Sequence, residues 1–264
     1  MSKTRVLFRG VGTPVDDEHD GQDTPDHPGT RHIRRALAIR PLVAAASVRG
    51  IIDVVNIRDI SAPLREDLPA WPGEEGMTRT VVSAQPDDPA TVSHLAFGAH
   101  TGTHIDAPIH FLPGGGGIET VSADSLVGPC FVADLRHVTD LITGDDLVGA
   151  GVSQDAVRLL ALTRNSGWSR DDTEFRRDYV AYDLSAAEWC VEHGIRLVGN
   201  DYLSIETFQA DGYPVHKTLL GAGLAVLEGV DLDGVSPGVY DVAALPILVP
   251  GADGAPVRAV LIES

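Results

Sequence analysis

Three shortages in the 264-residue sequence narrow what the protein can be. Cysteine is the first: only Cys130 ("GPCFVADL") and Cys190 ("AAEWCVEHG") occur, in separate apolar settings. That excludes a disulfide framework and predicts two buried thiols. Basic side chains are the second, 20 Lys and Arg against 38 Asp and Glu, for a formal charge of −18. A field of that sign repels phosphate backbones and anionic lipid, so neither a nucleic-acid nor a membrane partner is expected. Long apolar runs are the third, since no stretch reaches the roughly 18 consecutive residues that span a bilayer. The opening "MSKTRVLFRGVGTP" also lacks the apolar core and small-residue cleavage site of a signal peptide, which points to a cytoplasmic protein.

Apolar residues (43%), glycine (28) and proline (17) are plentiful, which suits a globular α/β or β-rich fold with many turns. Residues 14–30, "PVDDEHDGQDTPDHPGT", are too polar to order themselves, and "RHIRRALAIRPLVAAASVRG" reads as a short helix broken at Pro41. Residues 1–50 are therefore expected to form a flexible extension, in which His19, His27 and His32 belong to a solvated tail. The compact domain is expected over residues 51–264. Its short β-branched runs alternate with turns: "IIDVVNIRDI", "TRTVVSA", "TVSHLAF", "CFVADL", "VRLLALT", "IRLVGND", "LAVLEGV", "AALPILV" and "VRAVLIE". One helix is signalled at "SAAEWCVEHG", where Ser185 and Glu188 have capping-box spacing and Gly194 supplies the stop. The pattern predicts a strand-rich α/β fold with few helices.

Against that background the stretch "HTGTHIDAPIHFLPGGGG" (residues 100–117) stands out, with His100, His104, Asp106 and His110 close together. If His100 and His104 ligate one ion at about 2.1 Å, their Cα atoms cannot lie the ~13 Å apart that a straight strand imposes. The chain must turn between them, and Gly102 permits the turn. His104 and Asp106, two apart, share one face of an extended segment. Pro108 pushes Ala107 toward extended geometry. Two imidazoles and a carboxylate leave coordination positions open, as a catalytic site requires, and such a mixed set accepts zinc, manganese or other divalent ions. The run Gly114–Gly117 lacks the Lys-Ser/Thr of a phosphate loop and reads as a mobile loop beside a pocket.

The pattern H-x-G-T-H-x-D-x-P-x-H, complete from His100 to His110, resembles the signature of the metal-dependent cyclase family, which includes bacterial kynurenine formamidases and isatin hydrolases. The likeness extends from "RDISAPLREDLPAWPG" through "LTRNSGW" and "RLVGNDYLSIE" to "VHKTLLGAGLAVLEGV", roughly residues 57–250. It implies a swivelling β/β/α domain assembled as a homodimer or homotetramer. It also implies that His216 and Glu228 complete a second metal position, giving one or two ions per chain. Taken alone, His216 reads as a surface residue and Glu228 as a solvated charge. Asn200 departs from the family pattern, where an aliphatic residue is usual, and puts the lining near the site in question.

The resulting expectation is a hydrolase that cleaves a formamide or cyclic amide C–N bond. A divalent ion on His100, His104 and Asp106 would lower the pKa of bound water from about 15.7 toward about 7. Asp106 would bridge to a second ion on His216 and Glu228, and His110 would shuttle the proton. Trp71 and Phe111 are candidates to pack on an aromatic or cyclic substrate, with ordinary core packing as the alternative. Two rival readings are a cyclase or dehydratase acting on a polyketide-like intermediate, and a metal-stabilised binding protein without turnover.

Overall fold

The computed structural model describes residues 56–153 and 155–263. The expectations for residues 1–50 and for a boundary near Ile51 lie outside the described residues. The strands are β1 (Asn56–Asp59), β2 (Thr78–Ser83), β3 (Val92–Ala96), β4 (His104–Asp106), β5 (Val127–Asp134), β6 (Leu141–Ile142), β7 (Arg158–Leu162), β8 (Ala181–Tyr182), β9 (Leu197–Asn200), β10 (Ala225–Glu228), β11 (Gly238–Pro246) and β12 (Gly254–Glu263). The helices are short: α1 (Ala123–Leu126), α2 (Gly144–Gly149), α3 (Trp168–Asp171), α4 (Leu184–Glu192) and α5 (Pro214–Gly221). Each of the nine runs read as strands contributes one of these elements, and the fold is strand-rich with few helices, as expected.

Unbroken apolar runs mark strands covered on both faces, and β7, β9 and β10 are buried at every residue. They run parallel beside β5 in the order β5-β7-β9-β10. Antiparallel β4 follows β10, and β12 pairs with both β4 and β11. Because β11 also pairs with β5, the sheet closes into a barrel-like ring, with β1 added along β12. Alternation along the buried strands fills two cores. Leu160, Leu197, Leu227 and Ile105 pack inside the ring with Val132 and Leu261. Leu159, Ala161, Val198 and Val226 face outward onto Ala187, Cys190, Leu219 and Leu220 of α4 and α5. Truncating a buried leucine such as Leu160 to alanine would cost about 2–5 kcal/mol.

Two local readings are revised. The N-cap of α4 is Asp183, whose Oδ1 accepts from the Ala186 N–H at 2.9 Å and from Ser185 Oγ at 2.7 Å. A carboxylate two residues earlier wins over the serine, which becomes part of the first turn. A capping box does form, at Thr143 and Asp146 of α2, and Gly194 ends α4 at φ +69°. Beyond the exposed Gly114 the glycine run is packed: a Cβ at Gly115 would stand 2.7 Å from the Pro108 backbone, and one at Gly117 2.7 Å from Gly251. These glycines let backbones touch beneath the site. Both cysteines are buried and free, and burial pushes each thiol up to about 12. Among the described residues no helix is long and apolar enough to cross a membrane.

Candidate metal centre

The centre lies where β4 closes the ring. Its approach loop turns at Gly102, φ +68°, as the His100–His104 spacing required. Thr103 pins that loop, donating from Oγ1 to the Gly229 carbonyl at 2.6 Å and accepting from the Ala62 N–H at 2.8 Å. Register then places His104 directly opposite Glu228 of β10. His216 arrives from the first turn of α5 and lies 3.1 Å from Glu228 Oε1 and 3.7 Å from Asp106 Oδ2. His104 Nε2 lies 3.4 Å from Asp106 Oδ1 and 3.2 Å from Glu228 Oε2, and His100 Nδ1 2.9 Å from Asp106 Oδ1. Ligand atoms about 2.1 Å from one tetrahedral ion stand about 3.4 Å apart, so these separations suit shared coordination.

Each imidazole has one nitrogen in the cluster and the other tied outside it. His104 Nδ1 donates to the Gly102 carbonyl at 2.9 Å, and His216 Nδ1 to Glu206 Oε2 at 2.6 Å. His100 Nε2 meets Asp253 Oδ2 at 3.2 Å. This is how proteins fix the tautomer of a metal-ligating histidine. Two inward-facing atoms, His104 Nε2 and Asp106 Oδ2, are buried without a hydrogen-bond partner. Orphaned polar atoms at the centre of a buried cluster are costly unless a cation engages them. His100, His104 and Asp106 form one potential triad, Asp106, His216 and Glu228 form another that shares Asp106, and a third, less buried group joins His100 to His110 and Asp253. The donor set fits a divalent metal.

Electrostatics agree. Burial alone would lower the histidines, but the Asp106 and Glu228 carboxylates raise His104 to about 10, and Glu206 and Glu228 raise His216 to about 10. Burial would raise Asp106, yet His100 and His104 hold it well below the usual carboxylate range. Glu228 is also lowered, by His104 and His216, against burial and the nearby Asp106 charge. Two anionic carboxylates thus share a buried cluster that favours positive charge.

His110 stands beside the cluster at the end of a 3-10 turn begun by Pro108. Its ring stacks on His100 at 3.9 Å, and its Nδ1 is 3.8 Å from Asp253 Oδ2. Burial lowers its pKa, so it is neutral at pH 7. A cleft of about 250 Å³ opens over the centre, lined by His100, His110, His216 and Glu228 and walled by Trp71 and Phe111. Phe111 stacks on His216 at 4.1 Å. All eight residues singled out from the sequence therefore meet at one place. Asn200 does not line the cleft: it is buried, and its amide donates to the Ser204 carbonyl at 2.7 Å. It steadies the loop whose Ile205 N–H donates to Glu228 Oε1 at 2.6 Å. Sequence reasoning missed Glu206 and Asp253, carboxylates among 38 acids that carry no spacing signal.

A family model described as "Putative cyclase" matches residues 58–207, more than half of the chain. The chain belongs to the cyclase family. It is 35% identical to the kynurenine formamidase of Geobacillus thermodenitrificans (strain NG80-2), over 77% of this chain and 95% of that enzyme. A solved structure described as a potential metal-dependent hydrolase with cyclase activity superposes with a TM-score of 0.70 at 34% identity, covering 80% of this chain and 98% of that one. Isatin hydrolase A from Ralstonia solanacearum shares the fold at TM-score 0.70 and 23% identity, over 88% of this chain and all of that one. The family match ends before His216 and Glu228, which the fold nonetheless brings to the signature residues.

Proposed function

We propose that this cyclase-family member is a metal-dependent hydrolase of non-peptide C–N bonds, acting on an aryl formamide or related cyclic amide. The observation that carries the reading is the cluster of His100, His104, Asp106, His216 and Glu228 with the His110 imidazole stacked beside it, under an aromatic-walled cleft. Similarity to kynurenine formamidases supports the substrate class. His100, His104 and Asp106 would hold one divalent cation, zinc or manganese, and Asp106, His216 and Glu228 would hold a second. A cation there supplies Lewis acidity toward the amide carbonyl and an activated water. Glu206 and Asp253 keep the imidazoles in the ligating tautomer. His110, neutral at pH 7, takes a proton from the attacking water and returns it to the leaving nitrogen. Trp71 and Phe111 sandwich the aryl ring and exclude bulk water.

The reading extends to a cytoplasmic homodimer or homotetramer in which residues 1–50 are dispensable for turnover. The test is formate release from N-formylkynurenine by full-length, metal-loaded protein, together with elemental analysis. Turnover that a chelator abolishes and zinc or manganese restores is expected. A fully loaded protein that cleaves no member of an amide panel contradicts the reading and favours a cyclase or dehydratase.

A further inference from the structure

The turn Trp71-Pro72-Gly73-Glu74 closes with the Glu74 N–H donating to the Trp71 carbonyl at 2.9 Å. Pro72 takes its second position and Gly73, at φ +101°, its third. These are the residue types a type II turn demands, since proline presets the second φ and glycine is unstrained at the positive third. The turn fixes its first and fourth side chains relative to each other, and both Trp71 and Glu74 line the cleft over the metal centre. Phe175 and Phe208 brace the Trp71 ring at 5.0 and 5.3 Å. The Glu74 carboxylate lies beside Gly98, where a Cβ would be in ordinary contact with its Oε2 at 3.6 Å.

Among the described residues no lysine or arginine lines this cleft. Arg177 stacks on Phe208 at 4.5 Å but lines a neighbouring groove with Pro72. A carboxylate and an indole face at one end of the cleft both attract a cation and disfavour an anion. The net charge of −18 adds a field of the same sign.

We propose that Glu74 is a specificity-determining residue that receives an ammonium group on the part of the substrate remote from the scissile formamide, and rejects substrates with only a carboxylate there. The proposal rests on the amide-hydrolase reading above. Three formanilides test it with full-length, metal-loaded protein, identical except for a 2-aminoethyl, ethyl or 2-carboxyethyl ring substituent. The ratio of kcat/KM for the aminoethyl over the carboxyethyl compound should be about two- to fivefold, in line with a solvent-exposed ion pair. It should shrink at high ionic strength, fall toward unity in Glu74→Gln and invert in Glu74→Lys. A ratio that neither substitution changes overturns the proposal, while cleavage of the ethyl compound leaves the hydrolase reading standing. If no formanilide is cleaved, the hydrolase reading fails and the same ratio is measured as calorimetric Kd for 2-phenylethylammonium and 3-phenylpropionate. Equal preference in wild type and Glu74→Gln would then overturn the proposal.

Discussion

The inner wall of the centre and its rim solve opposite problems within a few ångströms. On the inner wall His104, Asp106, His216 and Glu228 are almost completely buried; backbone or carboxylate partners restrain His104, His216 and Glu228, and the His100 imidazole restrains Asp106. On the rim His110 is half-buried, Glu74 is exposed, and the nearest carboxylate to His110 Nδ1 is 3.8 Å away. The contrast separates holding a cation from acting on a substrate. Desolvated carboxylates favour a divalent ion because water cannot compensate them, and the ion takes the place of the protons that His104 and His216 otherwise carry. A group that must exchange protons needs contact with water and a pKa near the working pH.

Removing an inner ligand should have the largest effect. His104→Ala leaves Asp106 and Glu228 buried without their shared partner, so it should abolish metal binding and turnover. It should also lower the unfolding free energy of the metal-free protein by about 3–5 kcal/mol. Full metal content by elemental analysis would break the contrast. Next come the outer partners of the ligands. Glu206→Gln should weaken metal affinity by about 10- to 100-fold. Asp253→Asn should weaken it less, because Asp253 is 54% exposed and water can replace it. A chelator competition that ranks them the other way would place the rigid support on the rim.

The smallest effects concern pH. His104 and His216, raised to about 10 without a cation, carry protons at pH 7 that a metal must displace. Metal uptake should release protons, and affinity should rise with pH toward that value. Calorimetry in buffers of different ionisation enthalpy reads the release, and proton uptake would contradict it. For the loaded enzyme, burial lowers His110, so its protonation should add an acid limb to kcat/KM below about 6.5, beneath any limb near about 7 set by a metal-activated water. A lower limb that persists unchanged in His110→Ala would exclude His110 as the base.

Much of this was legible from local pattern. The long apolar strands showed themselves because parallel burial on both faces needs continuous Val, Leu and Ile. Strand β4 carries no such signal, since "HID" is three residues, two of them ligand candidates. The ring closure through β12 and β4 is a long-range pairing that no local pattern encodes. His100, His104 and Asp106 were readable together because one turn brings them into a single loop and strand. His216 and Glu228 came only through the family resemblance, since their meeting depends on where α5 packs beside β10. Glu206 was invisible because its role appears only once α5 presents the Val215 and His216 N–H groups to its carboxylate, at 2.9 and 3.2 Å. The Ser185 cap was misread because Asp183, two residues upstream, offers a charged acceptor to the same turn.

The division between wall and rim is tested most directly in His110→Ala, by measuring metal content and kcat on one preparation. The variant should keep the wild-type metal stoichiometry and lose about 10²- to 10⁴-fold in kcat, the usual cost of a lost proton shuttle. Loss of metal in parallel with activity would make His110 part of the wall, and unchanged kcat would remove it from the chemistry. Either result contradicts the account.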